Sequence, residues 1–454
     1  MNEPPAMPME AAPRLADLQA CFEGVIPSIL ATAAADGTPN ISYLSHVVMV
    51  DDRHVGVSNQ FFSKTAENIR ANPQAALLLV DARTGDQYRL ALTFVEALAG
   101  GPVFERVRSQ LQATSAQVGM AGVFRLKAVD VYRVGWVLRT PSPVATLPPT
   151  GVAPAASLKV AAEIVQAIAR QADVDGIVDS VLDGIAAGFA HDSTMLLVHD
   201  SGRGVLTAIG SRGYAYSGIG AEVPLRDGII GAAAAERHAF KVSDMSRIRR
   251  FGEAIRNSSD DENRTRSVAL PGIAEPMSQI AVPMIAQGIL QGVLFAESRQ
   301  RLAFGGDDEA ALAVIAAQAA AALLLAESAA GEQTAAPAPA AAAGISGQAF
   351  RVTHHAYDDS VFIDNEYVIK GVSGRLLMFM LETCRRESRQ EFSNRELRLT
   401  GSLRLPDIKD NLESRLLLLR RRLDEKALPV RIVRTGRGRI SLRLAGAPII
   451  EQSA

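Results

Sequence analysis

The residues best equipped for chemistry in this chain are cations. From Arg351 to Ala454 there are 20 Lys and Arg against 14 Asp and Glu, a net +6, whereas the preceding residues carry a net −8. Lys409, Arg415, Arg420, Arg421 and Arg422 fall in one helix-spaced run, and Arg431, Arg434, Arg437, Arg439 and Arg443 in one strand-like stretch just after it. A basic end on an acidic body suits a polyanion, or is simply a solvated surface of mixed charge. A second group is mostly uncharged: Ser58, Asn59 and Gln60 precede Ser63-Lys64-Thr65, which opens a short helix. A helix start offers unpaired N–H groups and a positive dipole end to an anion. The plainer role for Ser63 is an N-cap, with Glu67 helping the first turn. No acid–base pair is evident: His46 and His54 occupy strand positions, where a lone histidine is more often packed or at the surface. Cys21 and Cys384 lie far apart, which excludes a disulfide framework, a four-cysteine zinc site and an iron–sulfur cluster, and suits a reducing cytoplasm.

Two stretches divide the 454 residues. Thr140–Ser157 carries five prolines, and Gln333–Gly344 is an Ala/Pro tract; neither can build a core. The expected division is a flexible N-terminus over 1–20, a domain over 21–139, a linker over 140–157, a domain over 158–328, a linker over 329–347 and a domain over 348–446. The N-terminus has acids and prolines where a signal peptide needs basic residues and then an apolar run. The longest apolar stretch, Ala310–Ala326, is short for a membrane span. A cytoplasmic chain with no membrane contact is expected. The first segment reads as many strands with small helices inserted, hence a closed barrel. The second alternates helices and antiparallel strands, with the helices on one side. The third predicts strands, then helices over Arg375–Arg385, Asn394–Leu399 and Ile408–Leu423, then a hairpin around Gly436-Arg437-Gly438. On the third helix Ile408, Leu412, Leu416, Leu419 and Leu423 form one apolar stripe. Leu417 lies opposite that stripe and is expected to be exposed.

"ILATAAADGTPNISYLSHV" followed by "HVGVSNQFFSKTAENIRANPQAALLLVD" resembles the pyridoxamine-5′-phosphate oxidase-like flavin-binding split barrels. The resemblance implies a homodimer holding FMN, with haem and deazaflavin found among relatives. It implies that Ser63, Lys64 and Thr65 meet the FMN phosphate, and that Ser58, Asn59 and Gln60 address the ring or ribityl chain. Only one of the triplet is basic, where the oxidase pattern has two. "VPLRDGIIGAAAAERHAFKVSD", "SQIAVPMIAQGILQGVLFAESR" and "FGGDDEAALAVIAAQAAAAL" resemble a GAF domain, which implies a small ligand, of unknown identity, beside the loop Met245–Met277. His238 reads as an exposed turn histidine rather than a haem ligand, and Arg247, Arg249 and Arg250 as a loop face open to an anion.

"LLLLRRRLDEKALPVRIVRTGRGRISLRL" resembles the end of the OmpR-type winged-helix output domain. That resemblance implies DNA contact by Lys409, Arg415, Leu418, Arg421 and Arg422 on the third helix and by Arg437 and Arg439 on the wing. Leu417, with an acid one turn before it, suits a protein partner instead. The expected fold class is therefore multidomain α+β: split β-barrel, GAF α/β sensor domain, winged helix-turn-helix. The expected function is a bacterial sensor-regulator coupling flavin or ligand sensing to DNA. An FMN-dependent oxidoreductase with regulatory later domains, or a protein-binding scaffold, stay open beside it.

Overall fold

The computed structural model describes residues 13–44, 46–59, 63–117, 126–142, 158–189, 191–245, 268–331, 347–403, 405, 411–436 and 438–453. In the first unit the side-chain period of two dominates. Strand β1 (Ser28–Ala33) alternates buried and half-buried residues, which sends Leu30 and Thr32 inward. It pairs with β2 (Pro39–Leu44) and with β5 (Gln74–Val80). With β3 (Val47–Asp51), β4 (His54–Asn59), β6 (Gln87–Leu98) and β7 (Ala128–Thr140) they form a seven-stranded antiparallel sheet in the order β2-β1-β5-β6-β7-β4-β3. Val55, Leu77, Leu79, Leu90, Leu92 and Tyr132 fill its interior. Helices α1 (Ser63–Ala71) and α2 (Pro102–Gln117) are inserted between strands.

Residues 15–20 were expected to be part of a flexible N-terminus. They instead belong to a 3-10 helix, Leu15–Glu23, whose Leu15, Leu18 and Cys21 are buried in the barrel core. Apolar residues at every third position match the three-residue turn of that helix, so one edge stays buried along its length.

The second unit comprises α3 (Leu158–Ala169), α4 (Val174–Gly188), β8 (Ser193–Asp200), β9 (Val205–Arg212), β10 (Glu222–Pro224), α5 (Gly228–Glu236), β11 (Phe240–Val242), β12 (Ser278–Ala286), β13 (Ile289–Ser298) and α6 (Gly306–Gly331). Its sheet runs β10-β9-β8-β13-β12-β11. Helices were expected on one side only; they cover both. Leu196, Val198, Leu294 and Ala296 pack with α3, α4 and α6, while Met195, Leu197, Val293 and Phe295 pack with α5. Strands apolar on both faces need cover on both. Gln287 and Gly288 turn β12 into β13 with φ of 50° and 75°, the paired positive values of a tight hairpin. Helix α6 is long and apolar enough to cross a membrane, but Leu312, Ile315, Ala316, Ala319 and Leu323 are buried in the unit's own core.

The third unit runs β14 (Phe350–His355), β15 (Ser360–Ile363), β16 (Glu366–Ile369), α7 (Gly371–Glu387), β17 (Glu391–Ser393), α8 (Asn394–Leu399), α9 (Leu412–Glu425), β18 (Val430–Gly436), β19 (Arg439–Leu444) and β20 (Pro448–Ser453). Ser393 caps α8 by accepting from the Glu396 N–H at 3.2 Å. Strand β20 lies past the expected boundary at 446 and pairs parallel with β14 at the edge of the sheet β16-β15-β14-β20. Strand β17 joins the β18–β19 hairpin in a three-stranded sheet. One apolar cluster runs from Ile164, Val181 and Leu323 of the second unit through Leu416, Leu417 and Leu418 to Leu442 of the third. The two units share a core, not a loose contact.

Candidate functional site

The strand end and helix start expected to hold a cofactor lie together where β4 meets α1. Ser58 is buried, and its hydroxyl has no hydrogen-bond partner among the described residues. Asn59 donates through Nδ2 to Asp130 at 3.0 Å. Burial pushes the Asp130 carboxyl above its ordinary range, and the Asn59 bond only partly offsets this. Lys64 is exposed, with its ammonium 3.9 Å from Glu67. Gln60 and the side chain of Ser63 lie outside the described residues.

Thr65 departs from expectation. It is buried, and its hydroxyl receives the Asn40 amide at 3.1 Å and shares a hydrogen bond with Ser42 at 2.7 Å. Asn40 and Asn68 both also donate to Thr32. Thr65 therefore ties α1 to β1 and β2 and turns away from any ligand outside, because a buried hydroxyl must find its partners inside. For a phosphate-bearing cofactor, the fitting features are the α1 N-terminus, the Lys64 ammonium and the unpartnered Ser58 hydroxyl. The Thr32–Asn40–Ser42–Thr65–Asn68 network carries no motif in the sequence beyond alternating polar residues on β2.

The basic helix is the larger surprise. Leu412, Leu416, Leu419 and Leu423 form the expected buried stripe, but Leu417 and Leu418 are also buried, at 5% and 6% exposure. The exposed Leu417 inferred from helical spacing is corrected here: spacing shows one buried face, and the second unit covers the opposite one. Arg415, 9% exposed at its side chain, grips Asp200 at the end of β8 with two bonds of 3.1 and 3.2 Å. Arg420 bonds Asp175. Arg421 bonds Asp175 at 2.7 Å, Asp179 at 2.8 Å and the Ile209 carbonyl at 3.1 Å. Arg422 points the other way, donating to the Val368 carbonyl at 3.0 Å and to Glu425 at 3.1 Å. Arg434 reaches Asp173 at 3.0 Å and also pairs with Glu413.

The N-terminus of α9 is closed by a carboxylate from elsewhere. Glu327, near the end of α6, accepts the Glu413 N–H at 2.9 Å and the Ser414 N–H at 2.8 Å. Two orphan donors of the first turn are thereby satisfied, and the anion sits at the positive end of the helix. Asn411 donates to the His199 carbonyl, and Ser217 to Glu425. Burial pushes the Asp175 carboxyl up, but the hydrogen bonds from Arg420 and Arg421 outweigh it and hold the group below its ordinary range.

Of the residues expected to meet DNA, Arg415, Leu418, Arg421 and Arg422 thus face protein in this conformation. Arg439 stands at the start of β19, opposite Ser393 and Gly436. Lys409 and Arg437 lie outside the described residues, as do Arg247, Arg249 and Arg250. His238 is half-buried rather than exposed, with Nδ1 2.9 Å from the Glu236 carbonyl and its ring stacked on Phe240. Sequence reasoning missed the acidic partners. Asp175, Asp179 and Asp183 recur every fourth residue, a legible acidic stripe on α4, but nothing in that spacing names its cations.

Two family models match the chain: the pyridoxamine 5′-phosphate oxidase model over residues 16–135 and a GAF domain model over residues 171–324. The first unit is therefore pyridoxamine-phosphate-oxidase-like, and the second is a GAF domain. Solved structures similar to parts of the chain include the GAF domain of an Acinetobacter phosphoenolpyruvate-protein phosphotransferase, 20% identical, with 36% of this chain and 90% of that one covered and a TM-score of 0.30. An FMN-binding protein from Syntrophomonas wolfei is 19% identical, over 28% of this chain and 86% of that one, with a TM-score of 0.24. The free methionine-R-sulfoxide reductase of Neisseria meningitidis is 19% identical, over 37% and 89%, with a TM-score of 0.30. Curated proteins return no match.

Proposed function

We propose that this chain is a sensor-regulator whose output helix, α9, is held off its target by its own GAF domain. One observation carries the reading: Arg415, Arg420, Arg421 and Arg434 each meet a GAF-domain carboxylate, Asp200, Asp175, Asp179 or Asp173. These carboxylates take the places phosphates would take on a polyanion, so helix and polyanion compete. The order of sheet, three helices and hairpin in the third unit supports a winged helix, with α9 as the helix that enters the major groove of DNA. The Leu417 face, expected from the sequence to be exposed and to suit a protein partner, is covered by the GAF domain of the same chain.

Upstream, the barrel holds FMN, with Lys64 and the α1 N-terminus on the phosphate and Ser58 near the rest of the cofactor. When bound, FMN supplies electron or hydride acceptance, and the protein supplies orientation and access. A small ligand in the GAF domain is the second input. The test is a gel-shift with genomic fragments at low salt, comparing the full chain with a variant carrying Asp175→Asn and Asp179→Asn. The reading expects the variant to bind DNA more tightly than the parent. Absence of binding by both at low salt ends the DNA claim.

A further inference from the structure

Helix α6 is apolar on more sides than its own domain covers. Leu312, Ile315, Ala316, Ala319 and Leu323 face the core, and from Ala310 to Ala326 no residue is charged. On the opposite side Ala310, Val314, Ala317, Ala321, Leu325 and Ser328 recur at intervals of three and four, which sets them in one straight stripe about 27 Å long. The stripe is open: Val314 is 52% exposed and Leu325 70%, and its three alanines are exposed as well. A helix apolar on every side calls for cover on every side, and this side has none among the described residues.

Two features say what the cover is. The stripe matches itself. Its midpoint falls between Ala317 and Ala321, and the larger Val314 and Leu325 stand at nearly equal distances on either side. Two copies crossing there come closest where both carry alanine. The gap that widens away from the crossing falls where both carry a larger apolar side chain. A surface that fits itself suits a two-fold pair, in which residue i meets j and j meets i. Bulk and charge, in turn, are wrong for a bilayer. A helix lying in a membrane interface has bulky apolar residues on one face and Lys and Arg on the other, whereas this stripe is mostly alanine and is led by Asp307. Asp307 also sets the direction. Exposed and on the line of the stripe, it would face its own copy in a parallel pair; an antiparallel pair holds the two carboxylates roughly 36 Å apart along the axis.

We infer that α6 pairs antiparallel with α6 of a second copy of this chain, Val314 of each against Leu325 of the other, across a waist at Ala317 and Ala321. The inference does not depend on what the third unit binds, nor on any pairing through the barrel.

Cysteine cross-linking of the full chain reads this face, because the native Cys21 and Cys384 are buried. Chains carrying Val314→Cys and differently tagged chains carrying Leu325→Cys are mixed at micromolar concentration and mildly oxidised. In the antiparallel pair position 314 meets 325, while like positions stand about 15 Å apart or more, beyond the reach of a disulfide at about 7 Å between Cα atoms. The mixed disulfide should exceed either self-disulfide at least tenfold, and adding Ala317→Glu to both chains should lower its yield at least tenfold. Ala317 is exposed and glutamate is a good helix former, so the fold is kept, which a thermal melt verifies. The mixed-against-self comparison stands without that variant. Self-disulfides as abundant as the mixed one, no disulfide at all, or a yield indifferent to Ala317→Glu in a folded protein would overturn the inference. So would co-sedimentation of the parent chain with phosphatidylcholine vesicles that Ala317→Glu abolishes, which would assign the stripe to a bilayer.

Discussion

Asp200→Asn is the sharpest perturbation of the α9 docking. Asp200 and Arg415 are 11% and 9% exposed at their side chains and joined by two hydrogen bonds. Removing the charge from one partner of a buried pair costs about 3–5 kcal/mol, because the other stays desolvated without its counterion. That cost falls on the docked conformation alone, since Arg415 regains water when α9 swings free. Taking the low end, about 3 kcal/mol, the docked-to-released equilibrium moves by about two orders of magnitude, at 1.4 kcal/mol for each factor of ten. Hydrogen exchange of the α9 amides reads this without reference to any target. Exchange over Leu412–Glu425 should quicken on the scale of that shift, while the amides of β8 and β13 keep their protection. DNA affinity should rise in step until the released form predominates. An isosteric apolar pair, Arg415→Met with Asp200→Leu, should restore the protection, since packing replaces the ion pair without stranding a charge. If α9 protection in Asp200→Asn matches the parent, the ion pair is not what holds the helix and the reasoning fails.

Four further outcomes follow, two from the α9 docking and two from the barrel. Glu327→Ala removes the carboxylate that caps α9 and should cost about 1 kcal/mol of docking, read as faster tryptic cleavage at the arginines of α9 with little change in global melting. The Asp175 carboxyl is held below its ordinary range, so its stabilising contribution is complete above the unfolded value near about 3.9 and is lost as pH falls through the lower folded value. Exchange protection of α9 should therefore be flat from neutral pH down to about 4 and decline below it; a decline already between about 7 and 6 would point to a histidine instead. In the barrel, Lys64→Ala should weaken FMN by about tenfold in a flavin-fluorescence titration. Thr65→Ala should instead lower stability by about 1 kcal/mol in a thermal melt, because its hydroxyl serves the internal network with Asn40 and Ser42.

Much of the architecture was legible in residue order. The apolar run Ile29–Ala34 ended by Asp36-Gly37 and the apolar run Ala75–Val80 mark barrel strands, Ser393 with Glu396 marks the start of α8, and Gln287-Gly288 marks a hairpin; each is decided by neighbours a few residues away. The helix Leu15–Glu23 was missed because three apolar residues at a spacing of three signal little until a barrel is there to receive them. The parallel edge strand β20 was missed because its partner, β14, lies about a hundred residues earlier.

Residue types and spacing determined that this chain carries a helix with arginines on more than one face, an acidic stripe on α4 and a hydroxyl-rich start to α1. What those groups meet was decided only in three dimensions. Asp175 and Arg421 are 246 positions apart, and Glu327 and Ser414 are 87 apart. Charge along a helix sets how many ion pairs it can make, but a carboxylate attracts any cation within reach. The shared core of Leu323, Leu417 and Leu442 is what brings one set of cations to one set of acids, because burying that apolar surface fixes the separation at which the charges must pair.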